Sequence, residues 1–439
     1  MPTTILTLPR ELSQQILGQL PFRDKVRLSA TCKEYRAYLV PEIFATIRFT
    51  SREKSANSAL AAVKSLGEHT TCIEFTCKAY SAELPDLRLP PAAKELLAGR
   101  HMPNLHTAYL DFWFDFSPWA DNRDHSRYFG RPVRGEPDPR AVKFKNWQIK
   151  EDETWQALSM NQHIKTLTVN CLNPATRFDF NNDDSRNFLA RLESANFCIQ
   201  RVHNDEMCDN TITFSDYLNF FEAKMDSLLL SHMHNLKRLG IWAPETGWED
   251  GYDSQVRIGV GLLPGTLPVL ESLKLVNGVI SKELVSFIHD HTHSLTFLDL
   301  EECVSSLNSD NASGVSWAEF FDQIYEAGPL LARLIVRDIG MPLVTGEYEL
   351  EEDDWDFQLI QEARRQLKSQ PSLKVFGYSS KVSRHRHIYS GDYADSANQL
   401  ILGHDQRAYE RLMDLVNKND AGVHDEWGWP QEESEVPVI

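Results

Sequence analysis

The chain has 439 residues, enough for two or three domains or one elongated array. Its 63 acids against 45 Lys and Arg leave a net charge of −18, which argues against broad binding of nucleic acid or anionic membrane, since both need clustered basic surface. With 42% apolar and 10% aromatic residues the chain can build a sizeable core and lacks the composition of a disordered protein. Met1–Leu8 has no basic n-region or cleavage site of a secretory signal, and no stretch approaches the roughly 18 apolar residues of a membrane span. The seven cysteines form no CxxC pair, so reduced thiols in a soluble cytoplasmic or nuclear chain are expected, without zinc or another metal.

Residues 8–44 read as three short helices with strong punctuation. Pro9 suits a first helical turn, Glu11 complements the positive end of the helix dipole, and Leu12, Ile16 and Leu20 recur at four-residue spacing before Pro21. Asp24 opens a second segment with Val26 and Leu28. Thr31-Cys32-Lys33-Glu34 has capping-box spacing for a third, which carries Tyr35 and Leu39 and is expected to stop at Pro41. So small a bundle, without metal ligands or paired cysteines, must pack against the following domain or a partner.

The run Leu8-Pro9-x-Glu11, Ile16, Leu20-Pro21, Asp24, Leu28, Thr31-Cys32-Lys33 and Tyr35-Arg36 resembles an F-box, and its continuation through Ile43-Phe44 to Phe49 is similar to fungal members of that family. The resemblance implies docking on a Skp-family adaptor, and through it a cullin, by Leu8, Pro9, Ile16, Leu20 and Leu28, with Glu11 supporting the turn. Tyr35 stands where Trp is commoner, and Lys25 replaces a frequent Leu.

Beyond residue 50 an apolar-x-x-apolar-x-apolar pattern recurs. Its copies are Leu105/Ala108/Leu110, Ile164/Leu167/Val169, Leu236/Leu239/Ile241, Leu270/Leu273/Leu275, Leu295/Leu298/Leu300, Leu331/Leu334/Val336 and Leu373/Phe376/Tyr378, with weaker ones at Ile73/Phe75 and Ile199/Val202. Amphipathic segments at 215–230, 281–289, 316–327 and 355–368 precede several copies, and Leu295 to Cys303 has the L-x-x-L-x-L-x-x-C form of a leucine-rich repeat. The expected fold is α/β: a three-helix F-box, then an irregular leucine-rich-repeat, ribonuclease-inhibitor-like solenoid with parallel strands inside and helices outside. The expected divisions are 1–50 (F-box), 51–380 (solenoid, with an insertion at 112–147), 381–420 (cap) and 421–439 (acidic, mobile tail).

Stacking would project Asp111, Thr168, Asn170, Arg238, Trp242, Lys274, Phe297, Asp299, Glu301, Arg333, Arg337 and Ser379 onto the concave face. Mixed charge with aromatic anchors suits protein recognition, and Trp242, Phe297, Asp299, Glu301, Arg333 and Arg337 are the candidate target-binding residues. The insertion is too rich in Pro, Gly and Arg for a buried element. Within 123–145 seven cations face three acids, so Arg127 and Arg131 join the candidates for an acidic or phosphorylated target. A second insertion, Trp242 to Leu263, carries Trp248 and Tyr252; the acids of 347–356 read as a helix cap, and 399–417 as a closing helix with Leu402, Tyr409, Leu412 and Leu415 on one side.

Histidines cluster at 232/234, 289/291/293 and 385/387, but no acid is placed to complete a ligand set. No GxSxG, P-loop or HExxH motif is present. No catalytic residue and no cofactor is therefore expected. The F-box resemblance implies a non-catalytic substrate receptor of a cullin-RING (SCF-type) ubiquitin ligase, with a protein-binding scaffold outside any ligase as the alternative.

Overall fold

Three short helices open the chain: α1 (Arg10–Gly18), α2 (Phe22–Ser29) and α3 (Lys33–Ile43). The computed structural model describes residues 10–79, 88–114, 139–174, 176, 178–199, 220–243, 256–258, 260–306, 314–337, 356–379, 381–382, 387–389 and 393–420. In α1 the buried side is Ser13 and Leu17, four apart, and α3 buries Leu39. Lys25 is buried as well: its Nζ donates to the Gly18 carbonyl at 3.2 Å and pairs with Glu42, tying the end of α1 to α3. A leucine at this position would pack there but could not make either bond.

Two expectations at α3 are corrected. The N-cap is Cys32, whose Sγ accepts from Tyr35 N at 3.5 Å, while the Thr31 hydroxyl turns back to the Leu28 carbonyl at 2.7 Å. Pro41 does not stop the helix but sits inside it, and Phe44 N closes the last turn on Val40 O.

Nine parallel strands follow: β1 (Thr46–Thr50), β2 (Cys72–Ala79), β3 (Thr107–Phe114), β4 (Thr166–Leu172), β5 (Ser194–Ile199), β6 (Arg238–Trp242), β7 (Ser272–Val276), β8 (Phe297–Glu301) and β9 (Arg333–Arg337). They pair strictly in chain order. The register puts Ile47, Ile73, Ala108, Leu167, Ala195, Leu239, Leu273, Leu298 and Leu334 in one line across the sheet. Phe49, Phe75, Leu110, Val169, Phe197, Ile241, Leu275, Leu300 and Val336 form the next line, and all eighteen are buried. Successive side chains of a strand point to opposite faces, so both lines lie on the same face.

Helices α4 (Glu53–Leu66), α5 (Pro91–Leu97), α6 (Pro139–Ser159) and α7 (Asp183–Ala190) pack each against the next, making a layer that follows the strand order. Ala56, Leu60, Val63, Leu96, Trp147, Trp155 and Phe188 bring this layer into one core with the two strand lines. Asn277 and Glu302 have left-handed backbone (φ 59° and 51°), each the first residue after its strand, and each donates a backbone N–H to the neighbouring strand, to Glu301 O and Arg337 O; Cys171 (φ 57°) is instead inside β4, where the register with β5 shifts between Val169 and Leu172.

The repeats are corrected in two places. The weak copy at Ile199/Val202 is instead Leu192/Ala195/Phe197: Ser194–Ile199 is the strand, and Ala195 and Phe197 occupy the two buried lines. The copy at Leu373/Phe376/Tyr378 does not extend the main sheet, because Gly377–Ser379 pairs with Val304–Ser306 in a separate two-stranded sheet.

Both insertions are shorter than the spacing of the repeats implies. Phe112 and Phe114 at one end of the first, and Phe144 and Trp147 at the other, are core residues, because β3 continues to Phe114 and α6 begins at Pro139. Arg127, Arg131, Trp119, Tyr128 and Phe129 lie outside the described residues, as do Trp248 and Tyr252. In the second insertion Val256–Ile258 pairs antiparallel with His387–Tyr389, and Val260 and Leu262 are buried.

The closing helix is two, Tyr393–Leu402 and His404–Asp420, broken at Gly403 with φ 65°. The break leaves Leu402 exposed while Tyr409, Leu412 and Val416 enter the core. The tail from residue 421 and the acids at 347–354 lie outside the described residues. The helix Phe357–Ser369 starts from Asp356 at its N-cap.

Candidate functional site

Two surfaces have the make-up of binding sites. The first is on the opening helices. Leu12 and Ile16, four apart on α1, are 47% and 43% exposed, and Phe22 and Val26, four apart on α2, are 55% and 40% exposed. Each of the two helices thus leaves a pair of large apolar side chains in solvent, surface of the kind proteins keep for partners. Of the residues expected to meet an adaptor, Ile16 is one of these four, and Leu20 and Leu28 are half-buried. Leu8, Pro9 and the Glu11 side chain lie outside the described residues. Leu12, Phe22 and Val26 were not among the candidates. Phe22 and Val26 carried the same four-residue spacing as Leu12 and Ile16, which was the available signal.

The second surface is the sheet face opposite the two buried lines. Its first half is self-neutralised: Arg48 Nη2 donates to Glu74 Oε1 at 3.1 Å, and Lys78 Nζ lies 3.5 Å from Asp111 Oδ2 and 5.9 Å from the centre of the Trp113 ring. Burial pushes the Asp111 carboxyl above its usual range, against the pull of Lys78, and pushes the Tyr109 phenol between these pairs up to about 12.

The second half brings together Trp242, Phe297, Asp299, Glu301, Arg333 and Arg337, the candidate residues of β6, β8 and β9. Arg337 Nη2 donates to Asp299 Oδ2 at 2.8 Å and to Glu301 Oε2 at 3.1 Å, and Lys274 Nζ reaches Glu301 Oε2 at 3.2 Å. Burial raises the Asp299 carboxyl, with Arg337 and Lys274 pulling the other way. The Arg333 guanidinium lies 5.4 Å from the centre of the Phe297 ring, and Lys274 Nζ lies 5.1 Å from that of Trp242.

The Trp242 ring also rests on Gly240. A Cβ there would come within 2.5 Å of Trp242 Cζ3 and 2.4 Å of Asn196 Oδ1. The missing side chain is therefore what lets an aromatic plate lie flat on β6, between Asn196 and Lys274.

His291, of the second histidine cluster, is taken up within the fold. His291 is buried, with Nδ1 2.7 Å from Phe287 O and Nε2 2.9 Å from Thr266 O, so backbone carbonyls occupy both ring nitrogens. Among the described residues no group of three or more His, Cys, Asp or Glu is arranged to hold a metal ion.

Residues 5–49 match the family described as F-box-like, which spans the three helices and most of β1. No curated protein matches the chain significantly. The chain thus carries an F-box-like domain at its N-terminus, and domains of this family typically dock on Skp-type adaptors in SCF-type complexes.

Proposed function

We propose that this chain is the substrate-recognition subunit of an SCF-type cullin-RING ubiquitin ligase, with the opening helices on a Skp-family adaptor and a protein target on the sheet face. The observation that carries it is the exposure of Leu12, Ile16, Phe22 and Val26 within an F-box-like segment. The sheet that follows is an irregular leucine-rich-repeat solenoid, a reading favoured by the chain-order pairing and the repeated left-handed strand exits. On this face Phe297, Asp299 and Lys274 are buried, and the side chains offered to a target are Arg238, Arg333 and Arg337 with the half-exposed Trp242, a mix of cations and an aromatic anchor suited to protein recognition. No side-chain chemistry is required of such a subunit. It raises the effective concentration of a target lysine at a conjugating enzyme supplied by others. Work on a complex of this kind takes place in the cytoplasm or nucleus.

The test is co-purification. The wild-type chain should bring down adaptor and cullin, and the double variant Ile16→Asp/Val26→Asp should lose both while its thermal transition stays in place. Both positions are exposed, so folding is spared. Retention of the adaptor by the variant would overturn the docking surface, and adaptor without cullin would favour a scaffold outside any ligase.

A further inference from the structure

Strands β4 and β5 run in register from Thr166/Ser194 to Val169/Phe197, and meet again at Leu172/Ile199. Between those points β4 has two residues, Asn170 and Cys171, where β5 has only Cys198. The extra residue makes a β-bulge, and its mark is the left-handed backbone of Cys171. Glycine or asparagine would hold such a backbone at lower cost, so a cysteine there is an outlier of the kind that gathers at functional positions.

The bulge also decides where the side chains go. Val169 and Leu172 are buried, while Asn170 and Cys171 between them are both half-buried, so the in-out alternation of the strand is broken. Cys171 is thereby turned to the open face of the sheet. Cys198 reaches the same face by ordinary alternation, between buried Phe197 and Ile199. Both thiols are free. Neighbouring strands lie about 4.8 Å apart, inside the roughly 4.4–6.8 Å between Cα atoms that a disulfide spans. The electrostatics agree with this closeness. Burial raises the Cys198 thiol, and the backbone amide of Cys171 pulls it back down. Burial, and then the Cys198 sulfur, push the Cys171 thiol up to about 12.

We propose that Cys171 and Cys198 are a modification site, which a low-molecular-weight disulfide such as oxidised glutathione converts into a cross-strand disulfide bond. One cysteine, as thiolate, attacks a glutathione sulfur; that S–S bond breaks, a protein–glutathione disulfide forms and one glutathione leaves. The second cysteine then attacks the protein sulfur of this mixed disulfide and displaces the other glutathione. The two thiol protons end on the two glutathiones, and two electrons pass from the cysteine sulfurs to the glutathione sulfurs. The new bond fastens β4 to β5 where their pairing is interrupted. Because burial favours the protonated thiols, the exchange is slow at neutral pH, and the pair answers to a sustained change in the glutathione poise.

The test incubates the full chain in glutathione buffers from fully reduced to fully oxidised, blocks the remaining thiols with N-ethylmaleimide in urea, and maps tryptic peptides by mass. Oxidised buffer should join peptides 166–177 and 192–201, lighter together by two hydrogens, and dithiothreitol should separate them. The product should run as a monomer on a non-reducing gel. Cys171→Ser and Cys198→Ser should each abolish the joined pair while keeping the wild-type thermal transition. Alkylation of both cysteines after the oxidised buffer, linkage of either to a different cysteine, a covalent dimer, or joining only when urea is present during oxidation would each overturn the proposal.

Discussion

Glu151 shows how one side chain can make the sheet sensitive to pH. It sits on the buried side of α6, where Asn173 Nδ2 donates to its Oε2 at 3.0 Å, and complete burial pushes its carboxyl up to about 8. A group whose folded value exceeds its unfolded one holds its proton more tightly in the native state. Its contribution is thus complete below about 4.5 and is lost as pH rises toward 8. The shift corresponds to an upper bound of about 5 kcal/mol. Glu151→Gln keeps the shape of the neutral acid and the contact with Asn173. Urea denaturation should find the variant about 2–4 kcal/mol more stable than wild type at pH 8 and nearly equal at pH 5. An identical pH slope in both chains would show that the carboxylate is accommodated in its charged form.

At the scale of the element, β6 shows why part of the site could not be read from the sequence. The apolar lines were legible, since Leu239/Ile241 and Leu273/Leu275 repeat with a fixed spacing and inward direction follows from strand alternation. That also placed Trp242 on the open face. What spacing could not reveal is that the ring folds back over Gly240, because this depends on Asn196 and Lys274 of the strands on either side. The opening helices show the same limit: an apolar stripe says that Leu12 and Ile16 want cover, but only the structure shows that Ser13 and Leu17 take the buried side and leave these two exposed. Gly240→Ala should force the Trp242 ring off the strand and cost about 1–3 kcal/mol through overpacking. The loss should shrink in a Trp242→Ala background, where only the Asn196 contact remains to be relieved. A double-mutant cycle with no coupling would mean that the ring does not rest on Gly240 in solution.

At the scale of the whole molecule, strict chain-order pairing means that each strand of the sheet is supported by its immediate neighbours and the helices beside them. Stability of such an array is close to a sum of local terms, so its two ends need not unfold together. The β9 end depends on the last helix, 404–420. Asn419 Nδ2 donates to Pro329 O and Leu331 O, both at 3.0 Å, just ahead of β9. Asp405 holds the Tyr378 hydroxyl and the Ala318 amide, each at 2.9 Å, and Tyr409 packs against Phe321 and Phe376. Leu412 is fully buried in the same helix. Leu412→Ala should therefore cost about 2–5 kcal/mol. Hydrogen exchange should locate that loss: amides of β8 and β9 should exchange faster by the corresponding factor, while those of β1–β3, five or more strands away, keep their protection. Equal loss across all nine strands would show a single cooperative unit and rule out a stability that is a sum of local terms.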